Sequence, residues 1–116
     1  MEATAKARFQ RGSARKMNRI LTLIRNKPVT KALAILDFLP KPTKMTIIKT
    51  LKSASANALL KVGKAKITQQ DLIVKYAAAD GGPLMKRFRA GPRGSASRIL
   101  RRTYHIQITV ATKENK

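Results

Sequence analysis

The stretch PLMKRFRAGPRGSASRILRR, Pro83 to Arg102, carries one lysine and six arginines and no acidic residue. A small chain cannot bury such a segment, because each cation taken out of water needs a partner and this segment supplies none. It must stand outside whatever core the rest of the chain builds. Ordinary hairpin loops hold about 2–5 residues, so a connection running from Asp80 to Arg102 is either disordered or functional. Paired as two arms at about 3.3 Å per residue, it would reach on the order of 30 Å. Gly81, Gly82, Gly91 and Gly94 permit turning and close backbone approach. Pro83 and Pro92 reduce the entropy lost on ordering. Lysine would serve for solubility alone; guanidinium forks match phosphate bidentately, which favours an RNA-binding ribbon over a solvated loop. Met85 and Phe88 would pack against bases or sugars.

The remaining chain repeats the bias. Across 116 residues there are 26 Lys+Arg against 5 Asp+Glu, a net charge of +21. Self-repulsion on that scale opposes compactness unless a polyanion answers it, nucleic acid first and an anionic membrane surface second. Lys6, Arg8, Arg11, Arg15, Lys16, Arg19, Arg25 and Lys27 form a second basic zone. Each alone would suit a solvated face, but almost no acid intersperses the set. Two separated zones predict an elongated contact with more than one RNA segment. The RNA-binding set expected on these grounds is Arg8, Arg11, Arg15, Lys16, Arg19, Arg25, Lys27, Lys86, Arg87, Arg89, Arg93, Arg98, Arg101 and Arg102.

The body reads as one domain with an aliphatic core, since the chain has three Phe, two Tyr and no Trp. Ala3, Ala5, Ala7 and Phe9 alternate with Thr4, Lys6 and Arg8, a strand. Ser13 can cap a helix with Met17, Ile20, Leu21 and Ile24 on one face. Pro28 opens a second helix with Val29, Ala32, Leu33 and Leu36 inward, and Pro40 and Pro42 end it. A third helix, from about Thr43 to Val62, carries Ile47, Ile48, Leu51, Ala54, Ala58 and Val62, with Gly63 as its stop. Its small SASANA segment allows close approach to a sheet, and Asn57 within it can bond backbone there. Met17 and Met45 are assigned to the core. From Ile67 the period becomes two: Leu72, Val74 and Tyr76 face away from Ile73, Lys75 and Ala77. Tyr104, Ile106, Ile108 and Val110 likewise alternate with Thr103, His105, Gln107 and Thr109. The expected class is α+β: a small three-stranded antiparallel sheet packed against three helices, with a long protruding β-hairpin between the last two strands. The body would span about 1–79 and 103–116 and the arm about 80–102, in a single domain.

Catalysis finds little support. Glu2, Asp37, Asp71, Asp80 and Glu114 are scattered, and one His with no Cys offers no evident nucleophile–base set. His105 reads as a surface or RNA-facing residue. The glycines lack the strand–loop–helix context and Lys-Ser/Thr ending of a nucleotide loop. No cofactor and no metal site is expected. The lack of Cys excludes disulfides and Cys-based zinc modules and fits a reducing compartment. No run approaches the roughly 18–20 apolar residues of a membrane span, and MEATAKARFQRGSARK lacks a signal-peptide core. A soluble, intracellular protein is expected, cytoplasmic or, given a weak resemblance of the N-terminus to a transit sequence, organellar.

Four blocks of the chain resemble the family of large-subunit ribosomal protein twenty-two. LIRNKPVTKALAILDFLPK (Leu23–Lys41) is similar to I-R-G-K-x-V-x-x-A-L-x-x-L-x-F-x-P-K, and LKSASANALLK (Leu51–Lys61) to L-x-S-A-x-A-N-A. GGPLMKRFR (Gly81–Arg89) and RILRRTYHIQITV (Arg98–Val110) resemble the two arms of that family's long hairpin. The resemblance implies a body on the outside of the large ribosomal subunit, near the end of the nascent-peptide exit tunnel. It implies a hairpin threaded through ribosomal RNA, with its tip near the tunnel constriction and the macrolide site, and a part in RNA assembly. The implied tip residues are Met85, Lys86, Arg87, Phe88, Arg89, Ala90, Gly91, Pro92, Arg93 and Gly94. The implied partners are several domains of large-subunit ribosomal RNA, neighbouring large-subunit proteins and the nascent peptide, with no homo-oligomer. The family's tip pattern P-R-A-x-G-R-A is altered here, with Gly91 and Ser95 where arginines are usual, and Asn26 replaces a usual Gly. Charge alone would equally suit a DNA-architectural protein with a basic β-arm. A membrane-surface protein would have to expose apolar helix faces that the core needs.

Overall fold

The computed structural model describes residues 2–41, 43–62, 71–94 and 96–112, without the side chains of Val62, Met85, Pro92, Ser97, Arg98 and Ile99. The expected roles of Pro42, Gly63 and Ile67 therefore lie outside the described residues, as do Ser95 and Glu114. In chain order the elements are β1 (Glu2–Arg11), α1 (Ala14–Ile24), α2 (Val29–Phe38), α3 (Lys44–Val62), β2 (Leu72–Gly81), β3 (Met85–Ala90), β4 (Ala96–Arg101) and β5 (Thr103–Thr112). β1, β5 and β2 form an antiparallel sheet in that spatial order, and among the described residues β3 pairs with β4 alone.

The core follows the apolar periodicities. Met17, Ile20, Leu21 and Ile24 of α1 are buried, as are Val29, Ala32 and Leu36 of α2, while Leu33 packs against them partly buried. α3 contributes Ile47, Ile48, Leu51, Ala54 and Ala58. Its small residues let it lie against β1 and β5, and there the Asn57 Nδ2 donates to the Thr4 carbonyl at 3.2 Å. β5 is central, with Tyr104, Ile106, Ile108 and Val110 all buried on the helix-covered face. Each aliphatic side chain so enclosed contributes about 1.5–3 kcal/mol over an exposed one. Ser13 occupies the cap of α1 with extended backbone but makes no side-chain capping bond. Asn26 ends that region at φ 63, the left-handed conformation that its short polar side chain tolerates.

Three apolar assignments fail, two of them for one reason. Both outer strands carry a β-bulge opposite an unbroken β5, between Ala7 and Gln10 in β1 and between Val74 and Tyr76 in β2. A bulge puts two residues opposite one and shifts which side chains face the core. Phe9 is consequently 64% exposed instead of following Ala3 and Ala5 inward. Tyr76 is half exposed, and Ala77 and Ala79 take the inward positions. Met45 is also half exposed, because it precedes Ile47 by two positions and so falls on the far side of α3 from the stripe.

Both outer strands are bonded along their edges by side chains of α1 and α3 and by the loop that follows α1. Along β2, Asn18 of α1 clasps Ala79, donating to its carbonyl and accepting its N–H, both at 2.9 Å. The Arg25 Nε donates to the Ala77 carbonyl at 2.7 Å. The Asn26 N–H donates to the Val74 carbonyl, and the Val74 N–H to the Lys27 carbonyl. Along β1, Asn57 and Lys61 of α3 donate to the carbonyls of Thr4 and Glu2. An unpaired strand edge is a template for adventitious pairing, and these bonds occupy it.

The arm sets the shape. The molecule measures 67 × 26 × 20 Å, with a radius of gyration of 17.6 Å. A compact chain of this length would have a radius near 13 Å.

Candidate nucleic-acid interface

Beyond Gly81 and Thr103 the main sheet stops, and the chain continues as the β3–β4 ribbon. Its register runs from Met85 opposite Arg101 to Ala90 opposite Ala96. Residues opposite one another share a face, and neighbours along a strand alternate. Arg87, Arg89 and Arg101 therefore belong to one face, and Lys86, Phe88 and Leu100 to the other. All six side chains are exposed, Phe88 by 71%. Arg98 stands opposite Phe88 by backbone register. Of the residues implied at the tip, Gly91–Gly94 make the reversal, with exposed Arg93 at φ 58 and Gly94 at φ 77. Met85–Ala90 is the outgoing strand that leads to it.

The root of the ribbon is tightly made. The Gly82 N–H donates to the Thr103 carbonyl at 2.9 Å, and the Thr103 hydroxyl donates to the Pro83 carbonyl at 2.7 Å. On the other side the Gly12 N–H donates to the Arg102 carbonyl at 2.9 Å. This last bond changes the layout expected from sequence. Because β1 runs antiparallel to β5, its end at Arg11 lies opposite Thr103, where the arm rejoins the sheet. Arg11, Lys16, Arg101 and Arg102 therefore line one open cleft together with Gly12, Ser13 and Leu100. The two basic zones, expected apart, meet at the arm root. Beside it a second hollow is lined by Lys16, Arg19, Ile20, Lys41 and Thr43. Lys41 is not in the RNA-binding set expected from sequence; it stands outside both basic zones of the chain, and its signal was the closing P-K of the Leu23–Lys41 block.

Arg15, Lys16 and Arg19 are exposed on α1, and Arg8 and Arg11 on β1. Arg25 and Lys27 are half-buried at the β2 edge, where the Arg25 Nε is already committed to backbone. At the opposite end of the sheet Glu2 pairs with Lys75 across β5. The hydrogen bond from Lys75 and its charge hold the Glu2 carboxyl below its ordinary value. His105 lies half-exposed on the sheet face away from the helices, opposite Asp80 of β2. Among the described residues, no three of His, Asp and Glu gather where a metal ion could be held, and no helix is long and apolar enough to cross a membrane.

Residues 5–111 match the family model described as ribosomal protein L22p/L17e. A protein of Endomicrobium trichonymphae named large ribosomal subunit protein uL22 is 49% identical over 110 residues, covering 95% of this chain and 91% of the relative. A protein of the same name from Bifidobacterium longum (strain DJO10A) is 46% identical over 116 residues, 98% of each chain. Another from Latilactobacillus sakei subsp. sakei (strain 23K) is 45% identical, covering 97% of this chain and 93% of the relative.

Proposed function

The chain belongs to the ribosomal protein L22p/L17e family, and on that premise we propose that it is a structural constituent of the large ribosomal subunit, working in cytoplasmic translation. It binds large-subunit ribosomal RNA, helps that RNA assemble, and sends the β3–β4 ribbon inward to line the nascent-peptide exit tunnel. Its partners are several RNA domains, neighbouring large-subunit proteins and the passing peptide. Its role is to hold RNA segments in place, with no chemical step.

The observation that carries this reading is the two-sided charge of the ribbon. A ribbon that lay flat on one polyanion would need cations on one face only. Here Arg87, Arg89 and Arg101 stand on one face and Lys86 on the other, while among the described residues β3 and β4 pair with no third strand. Both faces are satisfied when phosphates surround the ribbon. The cleft of Arg11, Lys16, Arg101 and Arg102 would grip a backbone at the point of entry.

Competition binding tests the reading. The full chain should prefer large-subunit ribosomal RNA to random duplex DNA at matched salt, with affinity falling as salt rises. Equal affinity for both would favour the DNA-architectural alternative. A membrane-surface role would need the apolar face of α1, and its Met17, Ile20, Leu21 and Ile24 are buried in the core. Liposome co-sedimentation should therefore leave the protein in the supernatant.

A further inference from the structure

Phe9 is a bulky residue at φ 55, a conformation that such residues rarely adopt. Backbone strain of this kind persists only where the surroundings enforce it, and it gathers at functional sites. Here the surroundings are specific. The Phe9 N–H donates to the His105 Nδ1 at 3.0 Å, and the Gln10 side chain donates to the Arg8 carbonyl at 3.0 Å. The Phe9 ring stands edge-on to the His105 ring, with centroids 4.8 Å apart. The result does not serve the core, because Phe9 is left 64% exposed. It holds an aromatic ring in a fixed attitude over the sheet face away from the described helices. Around it Lys6, Arg8, Asp80, His105 and Gln107 complete a hollow of about 350 Å³, within the size of small-ligand sites.

We infer that this hollow is a subsite for one unpaired nucleotide of RNA. The base stacks on the Phe9 ring, and its sugar-phosphate is met by Lys6 and Arg8. Unpaired RNA bases are commonly held on aromatic rings, and stacking tolerates any base. Asp80 argues for a base in the hollow and against a bare phosphate. Its carboxylate repels an anion but accepts an amino N–H from a base edge, and the Gln107 amide can donate or accept beside it. The inference rests on the RNA-binding reading and adds a site that the charge pattern does not contain.

The chain has no tryptophan, so Phe9→Trp introduces a sole indole reporter. Titrated with purified large-subunit ribosomal RNA, Phe9→Trp should be quenched by stacking. Titrated with inorganic polyphosphate, which offers charge without bases, it should not. Phe9→Asn suits the positive φ and removes the ring, so it should melt at or above the wild-type temperature. It should nevertheless bind the RNA roughly 5- to 150-fold more weakly, the range for losing one base–aromatic stack, with an unchanged salt slope. Equal quenching by RNA and polyphosphate, no quenching by RNA, or wild-type affinity in Phe9→Asn would overturn the subsite. If the wild-type chain itself shows no preference for the RNA over duplex DNA, the RNA-binding reading falls with it. If wild type binds and Phe9→Asn binds equally, the subsite alone falls.

Discussion

A methyl group placed on Gly82 would lie 2.5 Å from the Thr103 Oγ1 and 3.1 Å from the His105 Nε2. The Thr103 hydroxyl is held by the bond to Pro83 that aims the arm, so it cannot simply move aside. Gly82→Ala should therefore destabilise the fold by about 1–3 kcal/mol, the usual cost of overpacking, and thermal melting will measure it. Glu2 supplies a second test at this scale. Its folded-state carboxyl titrates lower than in the unfolded chain because of Lys75. The stability it contributes is present above the unfolded value and fades as pH falls through the folded one. Glu2→Gln should thus be less stable than wild type at neutral pH and low salt, with the two converging in acid well below 4.5. Denaturant midpoints at the two pH values check this. Single residues were unevenly legible. Asn57 could be assigned to a helix–sheet bond because a polar residue in a small-residue run has few other uses. Phe9, Tyr76 and Met45 were misplaced because side-chain type was read without the bulges, or the helix face, that decide direction.

At the scale of elements the alternating and helical periods carried most of the information. α1, α2, α3 and the β5 face emerged as expected, because burial on one face writes itself directly into the sequence. The spatial order β1–β5–β2 did not, since no local pattern says which strand is central. The closure of the outer strands was equally hidden, as it depends on Asn18 and Ala79 meeting across 61 residues of chain. Removing that clasp leaves both polar groups of Ala79 without their partner. Asn18→Ala should cost about 1–3 kcal/mol, whereas Thr22→Ala, which loses only bonds within its own helix, should cost less. Chemical denaturation of both variants compares them directly. The ribbon should behave differently. Deleting Met85–Arg87 removes half of β3 but nothing from the core. The shortened chain should keep a cooperative melt and bind RNA more weakly; disappearance of the melt would mean that the arm supports the body.

The whole molecule is a compact body with a charged extension that gains nothing from its own core. The long basic insertion made the arm predictable, and the composition is the ground for proposing a polyanionic partner. The meeting of the two basic zones at the arm root was not, because it is set by the pairing of Arg11 with Thr103 across most of the chain length. That meeting makes the surface one continuous track, from α1 past Arg102 and out along the ribbon. The central claim is that both faces of the ribbon engage phosphate. The direct measurement is the affinity of the full chain for large-subunit ribosomal RNA across a salt series, with each face neutralised in turn. Lys86→Gln and the double variant Arg87→Gln, Arg89→Gln should each weaken binding and flatten the log–log salt slope, by about 0.7–0.9 for every phosphate no longer neutralised. If one face can be neutralised with affinity and slope unchanged, the ribbon lies on an RNA surface instead of within it, and the central claim is wrong.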